Sequence, residues 1–304
     1  MDTISYDNCT LCPRRCGADR TKAPGFCGAT DRIKVARAAL HMWEEPCLSG
    51  ERGAGTVFFS GCQLGCVYCQ NRAISHGEAG AEITRERLVE IFFELAEKGA
   101  HNIDLVTPDC YIPDVARAIR EAKDNGLALP FVCNCSGYET VEAIKTLGGL
   151  IDVWMPDLKY LDEDIAQKYS AAPDYPEVAK AAVDAMVVLR PECVFDEDGM
   201  MIKGVLVRHL LLPGCLEDSR NALKYLYSRY GNGIWYSIMS QYTPPDGMER
   251  PLDRRVTSRE YDALIDFACG LGIENAFIQE GGAAEESFIP QFDCEGVLPP
   301  HTDG

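Results

Sequence analysis

Short, wholly apolar runs alternate along this chain with stretches whose apolar residues return every three or four positions. Gly55–Ser60 (GTVFFS) reads as a buried strand, after which Leu88, Ile91, Phe92 and Leu95 share one helical face that ends near Gly99. Asn102–Thr107 (NIDLVT) predicts a second strand, followed by a helix from Ile112 to Ala122 that stops near Gly126. A third strand at Pro130–Cys135 precedes a helix over Val141–Leu147, and a fourth at Leu150–Met155 precedes irregular helical material from Asp162 to Leu189. Val205–Leu212 is the fifth strand, with Leu223, Leu226, Tyr227 and Tyr230 marking its helix. Ile234–Met239 is the sixth, and its helix opens on a capping box, Thr257-x-x-Glu260, with Tyr261, Leu264, Ile265 and Ala268 on one face. Ala276–Gln279 predicts a short last strand.

Strands that alternate with helices imply parallel pairing and right-handed crossovers. Six or seven such units exceed a small doubly wound sheet and fall short of a closed eight-fold barrel. The expected fold is therefore α/β, a partial (βα)6-type TIM barrel over residues 51–304. Residues 1–50 read as a separate cysteine-rich extension in which Ile33–Trp43 forms a strand, in a hairpin on the barrel's side. Barrels of this kind do their chemistry at the carboxyl ends of the strands. Cys62, Thr107, Asn134 and Asp157 fall at or near those ends.

Charge narrows the partners. The 304 residues carry a formal net charge of −18, so a phosphate polyanion is repelled and nucleic acid is not an expected ligand. No run approaches the roughly 20 apolar residues of a membrane helix. The first ten residues, MDTISYDNCT, lack the basic and apolar regions of a secretory signal, and the expectation is a cytoplasmic protein without a membrane partner.

Fifteen cysteines, an odd number, point to metal rather than to a disulfide framework. Cys193, Cys269 and Cys294 stand alone and are expected to be small buried hydrophobes. Cys62, Cys66 and Cys69 are different: C-x3-C-x2-C on one short loop directly after the first strand. A structural zinc closes with four ligands, so three thiols would need a partner from elsewhere. An iron–sulfur cubane held by three thiolates instead keeps one iron open for a cofactor or substrate. Gly61 and Gly65 let the backbone curl around such a group.

This loop, with Tyr68 before its last cysteine, resembles the signature of the radical S-adenosylmethionine (radical SAM) superfamily. The run Cys12–Gly17 (CPRRCG), Trp43-Glu44-Glu45-Pro46, Thr56–Cys62 (TVFFSGC), Cys69-Gln70-Asn71 and Asn102–Pro108 extend the resemblance to the branch of the pyruvate formate-lyase activating enzyme, and within it to an activating-enzyme-like subgroup. The resemblance implies a 4Fe-4S cluster on Cys62, Cys66 and Cys69 whose open iron is chelated by SAM. One-electron cleavage then yields methionine and a 5′-deoxyadenosyl radical that abstracts hydrogen from a protein or peptide substrate. Flavodoxin or ferredoxin is the implied electron donor. The alternatives are modification of a small molecule or another peptide by the same radical, or a non-catalytic iron–sulfur carrier or metal-binding scaffold.

The same resemblance assigns cofactor contacts. Tyr68 lies by the adenine, Asp157 and Lys159 of Asp-Leu-Lys lie near SAM, and Asn134 and Ser136 of Asn-Cys-Ser-Gly lie over the ribose. Arg208, followed by Leu212-Pro213-Gly214, points inward, whereas His209 faces the other way and packs. Where the family has Gly-Gly-Glu for the methionyl amine, this chain has Thr107-Pro108-Asp109; the expected contacts there are Thr107 and Asp109. Finally, Cys9, Cys12, Cys16 and Cys27 follow C-x2-C-x3-C-x10-C, a four-thiol set suited to a structural zinc or a second iron–sulfur cluster.

Overall fold

A computed structural model describes residues 5–278 and 290–299. Its organising element is a sheet with the order β10-β9-β8-β6-β5-β4-β2-β1-β3. The antiparallel edge pieces are β1 (Ile33–His41) and β3 (Ala81–Ile83). Seven parallel strands form the barrel staves: β2 (Ala54–Phe59), β4 (Ile103–Val106), β5 (Phe131–Cys135), β6 (Val153–Pro156), β8 (Met201–Leu210), β9 (Trp235–Met239) and β10 (Ala276–Ile278). A two-residue strand, β7 (Val194–Phe195), pairs antiparallel with β8. Among the described residues β10 and β3 are the two open ends, so the barrel is partial, as the sequence implies. Gln279, expected to end the last strand, lies outside the described residues.

The staves read as near-continuous apolar runs because both faces are covered. Outside them lie α3 (Arg85–Glu97), α4 (Ile112–Asp124), α5 (Val141–Leu147), α8 (Leu216–Tyr230) and α9 (Ser258–Leu271). The stripe Leu88, Ile91, Phe92 and Leu95 is buried against the sheet, at about 1.5–3 kcal/mol per side chain. The capping box at Thr257 and Glu260 forms as expected, and Glu260 also pairs with Arg254. The irregular helical stretch resolves into α6 (Glu163–Ser170) and α7 (Tyr175–Leu189). Left-handed Ala171 ends the first, and Pro176 opens the second where its missing N–H costs nothing.

Short helices follow the edge elements. α1 (Pro46–Ser49) lies between β1 and β2, and α2 (Arg72–Ser75) follows the three-cysteine loop. Because His41 pairs with Ala54, the first residue of β2, residues 42–53 lie at the amino end of the barrel. There Cys47 and Leu48 of α1 plug the interior against Val132, Val153, Met155 and Leu206. The register Thr56, Asp104, Val132, Val153, Gly204 runs across five neighbouring staves at this level. The expected hairpin strand is thus bonded straight onto the first stave, so Ile33–His41 of the extension shares the barrel's sheet. No helix among the described residues is long and apolar enough to cross a membrane.

Candidate active site

A cavity of about 430 Å3 runs through the carboxyl end of the barrel toward its floor. Cys62, Cys66 and Cys69 line it together, with Tyr68, Thr107, Asn134, Ser136, Asp157, Lys159 and Arg208. Ten of the eleven residues expected at the cluster and cofactor thus meet on one wall system. The cysteine loop leaves β2 through Gly61 (φ +101°) and turns at Gly65 (φ +65°). Burial and the neighbouring Cys66 push the Cys62 thiol up to about 12. Three thiols crowded on one buried loop become thiolates together only around a cationic centre. Among the described residues no three His, Cys, Asp or Glu side chains converge as the ligands of a single ion. A cubane spreads its thiolates over separate irons, so the donor set of this loop suits a cluster better than one zinc ion.

The loop's surroundings hold it by hydrogen bonds that sequence reasoning missed. Ser170 Oγ donates to Cys66 Sγ at 2.9 Å, and Tyr160 Oη lies 3.0 Å from Ser170 Oγ. Tyr160 in turn donates to Tyr68 Oη at 2.5 Å, and Tyr68 meets Tyr160, Tyr169 and Tyr242 edge-on. Arg14, from Cys-Pro-Arg-Arg-Cys, donates to the carbonyls of Gln63 (3.0 Å), Leu64 (3.4 Å) and Ser170 (2.9 Å), and to that of Ala171. Its guanidinium also lies 4.5 Å from the centre of the Phe26 ring. An arginine in a cysteine motif carries no sequence signal of the carbonyls it will meet 50 and 156 residues away.

On the opposite wall the charges are tightly paired. Asp157 accepts from Arg208 Nε at 2.9 Å and from Lys159 Nζ at 2.5 Å. Arg208 Nη2 donates to Asn134 Oδ1 at 2.6 Å, and Nη1 lies 3.6 Å from a Glu44 carboxylate oxygen. Burial alone would push the Asp157 carboxyl up, yet the Arg208 and Lys159 cations hold it below its ordinary value. Gly137 (φ +77°) lets the end of β5 approach this group: a Cβ there would lie 2.2 Å from the Asp157 carbonyl. His209 turns away from the cavity, as expected, and its Nδ1 lies 2.6 Å from the Leu158 carbonyl.

Asp109 departs from expectation. Thr107 lines the cavity with a left-handed backbone (φ 54°, ψ 54°), an uncommon state for a β-branched residue. Pro108 then starts a 3-10 turn over Pro108–Tyr111, which carries Asp109 behind the wall. There it is buried with both carboxylate oxygens unpartnered, and burial followed by the nearby Glu139 raises its pKa well above the carboxylate range. It is not among the cavity-lining residues.

The N-terminal cysteines lie near one another beside the loop, although no three of these described residues converge as ligands of a single ion. Cys12 has Cys27, Cys9 and Cys16 as electrostatic neighbours, Cys9 is buried and Cys16 exposed. Turns close around them through Arg15 N to Cys12 O, Gly17 N to Cys9 O and Gly28 N to Gly25 O, each 3.0 Å. A hydrogen bond from Cys62 N to Cys27 O (3.1 Å) ties this segment to the first cysteine of the loop. The Cys110 thiol next to Cys27 lowers the Cys27 pKa to about 6. The lone cysteines differ from expectation: Cys269 is exposed, and Cys193 and Cys294 are half-buried.

Residues 56–195 match the family model of the Radical SAM superfamily. The chain is 26% identical over 278 residues to Uncharacterized protein MJ0674 of Methanocaldococcus jannaschii, covering 86% of this chain and 75% of that one. Its fold is similar to that of methylornithine synthase (PylB), with a TM-score of 0.51 and 14% identity, over 80% of this chain and 70% of that one. It is also similar to Streptococcus suis SuiB in complex with its precursor peptide SuiA, with a TM-score of 0.50 and 12% identity, over 73% of this chain and 47% of that one.

Proposed function

From a chain whose residues 56–195 match the family model of the radical SAM superfamily, we propose an activating-enzyme-like radical SAM enzyme that abstracts hydrogen from a protein or peptide substrate. The observation that carries this reading is the sharing of one cavity by Cys62, Cys66, Cys69 and the paired charges Asp157, Lys159 and Arg208. When bound, a 4Fe-4S cluster and SAM supply reductive cleavage of a carbon–sulfur bond and a 5′-deoxyadenosyl radical. The three cysteines hold the cluster and keep one iron open. Lys159 and Arg208 offer charge-assisted hydrogen bonds to the methionyl carboxylate, while Asn134 and Ser136 serve the ribose and Thr107 the methionyl amine. Tyr68 and its ring of tyrosines exclude water from the reacting centre.

In this proposal a flavodoxin or ferredoxin reduces the cluster, and the four N-terminal cysteines hold a zinc ion or a second iron–sulfur cluster. A second reading, radical modification of a small molecule, is favoured by the modest cavity and by Thr107-Pro108-Asp109 in place of Gly-Gly-Glu. Anaerobic reconstitution with iron and sulfide, then dithionite and SAM, tests both. The expected product is 5′-deoxyadenosine, abolished by Cys66→Ala; an intact, reducible cluster that forms none of it overturns the radical reading.

A further inference from the structure

The floor of the cavity holds acidic groups that the cofactor assignments above leave unused. Glu44 and Glu45 enter from the amino end of the barrel and line the cavity; Glu45 is only 8% exposed. Asp104, on the stave beside Thr56, is fully buried beneath the lining rather than part of it; its carboxylate oxygens meet no hydrogen-bond partner of good geometry, although Asn134 lies near enough to stabilise the charged form. Glu44 feels the charges of Asp104 and Glu45, and Asp104 feels that of Glu45. The nearest cation is shared rather than free for these acids, because Arg208 places Nε on Asp157, Nη2 on Asn134 and Nη1 3.6 Å from Glu44, and its remaining N–H groups serve the cofactor in the reading above. Lys159 pairs with Asp157 and likewise keeps its other donors for the cofactor.

Burying several carboxyl groups around one shared arginine is costly, and the protein absorbs that cost by holding on to protons. Burial pushes Asp104 up to about 7 and raises Glu44 well above the carboxylate range, with Asp104 and Glu45 adding to the effect. A ligand that brings one positive charge and several N–H donors would remove the repulsion and satisfy the empty acceptors at once. An alkylammonium does this better than a guanidinium: it is a compact point charge with three donors, suited to three carboxyl groups rather than to one planar pair.

We infer that the substrate carries a primary ammonium group, seated on Glu44 and Glu45 above the buried Asp104, with its reacting carbon held toward the three-cysteine end of the same cavity. The inference rests on the radical SAM reading for the identity of the cavity as the substrate site. It applies equally to a lysine side chain of a peptide and to a small amine, because the floor recognises the same group in both.

The test compares Nα-acetyl-lysine amide with its neutral isostere Nα-acetyl-norleucine amide, and 1,5-diaminopentane as the small amine, by calorimetric titration of the reconstituted full chain. A lysine preference of at least ~10-fold over norleucine is expected, falling to parity in Glu45→Gln and in the isosteric Asp104→Asn. Far-UV circular dichroism checks that each variant is folded, and the second variant decides if the first is not. Tighter binding of the diamine than of the lysine amide identifies a small amine as the source; the reverse identifies a peptide side chain. Equal affinity for the lysine and norleucine probes, no binding of any amine probe, or a preference that survives both variants overturns the inference. SAM affinity that falls together with the lysine preference would assign the floor to the ammonium of SAM and overturn it as well. A wild-type chain that cleaves SAM without preferring the amine sinks this inference alone. One that prefers the amine but never cleaves SAM sinks the functional reading and keeps the cation site.

Discussion

Asp157→Asn isolates the charge balance of the active-site wall, because it removes one charge while keeping shape and volume. In the wild type a single carboxylate neutralises two buried cations, Arg208 at 2.9 Å and Lys159 at 2.5 Å. Asparagine can still accept one hydrogen bond, but its amide group then faces a second donor; Lys159 loses its counter-ion and Arg208 keeps only Glu44, at 3.6 Å. Breaking a buried pair from one side costs about 3–5 kcal/mol. The three side chains are 17–19% exposed to the cavity, so the lower end, about 3 kcal/mol, is expected. At roughly 2 °C per kcal/mol for a chain of this size, that is a fall of about 6 °C in Tm.

The sign of the pH dependence follows from the depressed carboxyl. Its contribution is present above the unfolded value of about 3.9 and lost as pH falls through the lower folded pKa. Variant and wild type should therefore differ fully at pH 7 and converge in strong acid. Lys159→Met is the companion, expected to cost less because Asp157 keeps Arg208. Thermal and urea unfolding of the metal-free, reduced protein measure all three. An Asp157→Asn variant within ~0.5 kcal/mol of wild type at pH 7, or one less harmed than Lys159→Met, would refute the charge argument.

Three other perturbations have defined outcomes. Thr107→Gly removes a side chain from a left-handed backbone and should raise the unfolding free energy by up to ~1 kcal/mol, after the greater unfolded-state freedom of glycine; a loss on urea unfolding would show that the threonine contacts outweigh the strain. Asp104 carries a carboxyl raised from 3.8 to about 7, so its stability cost is nearly absent at pH 3, grows as pH rises and levels off above pH 7. Asp104→Asn should therefore be nearly neutral at pH 3, already favourable by roughly 0.5 kcal/mol at pH 4 and stabilising by at most about 4 kcal/mol at pH 8, and a gain independent of pH would contradict this. Ser170→Ala deletes the O–H···S bond to Cys66; in reconstituted protein the cluster potential should fall by ~40 mV in a spectroscopic redox titration, taking about 1 kcal/mol for the bond, and an unchanged potential would remove the bond's electronic role.

The staves and their order were legible because a parallel strand covered on both faces must be apolar along its length, and nothing else in the chain imitates GTVFFS or FVCNC. The three-cysteine loop was legible because the thiols that share a wall are neighbours in sequence. What could not be read depends on partners far away along the chain. β3 and β7 are three and two residues long and exist only through β1 and β8. Asp109 was expected on the cavity, but a left-handed Thr107 decides its direction, and no propensity favours that state for threonine. Glu44 and Glu45 were visible as part of a resemblance, yet their place on the barrel floor follows from α1 plugging the interior. The solvent exposure of Cys269 was equally out of reach, since its neighbours in sequence are apolar enough to suggest burial.

The four carbonyls that meet Arg14 set a timetable for synthesis. Gln63 and Leu64 leave the ribosome 49 and 50 residues after Arg14, but Ser170 and Ala171 only 156 and 157 residues after it. Until then the thiols of the loop are made but not fastened: Cys66 lacks its Ser170 donor, and Arg14 holds only the near side. Contacts of such long sequence separation form late, because the intervening chain must first give up its freedom. The nascent protein thus passes through a period in which all seven cysteines of the two neighbouring sets are outside the ribosome and open to solvent.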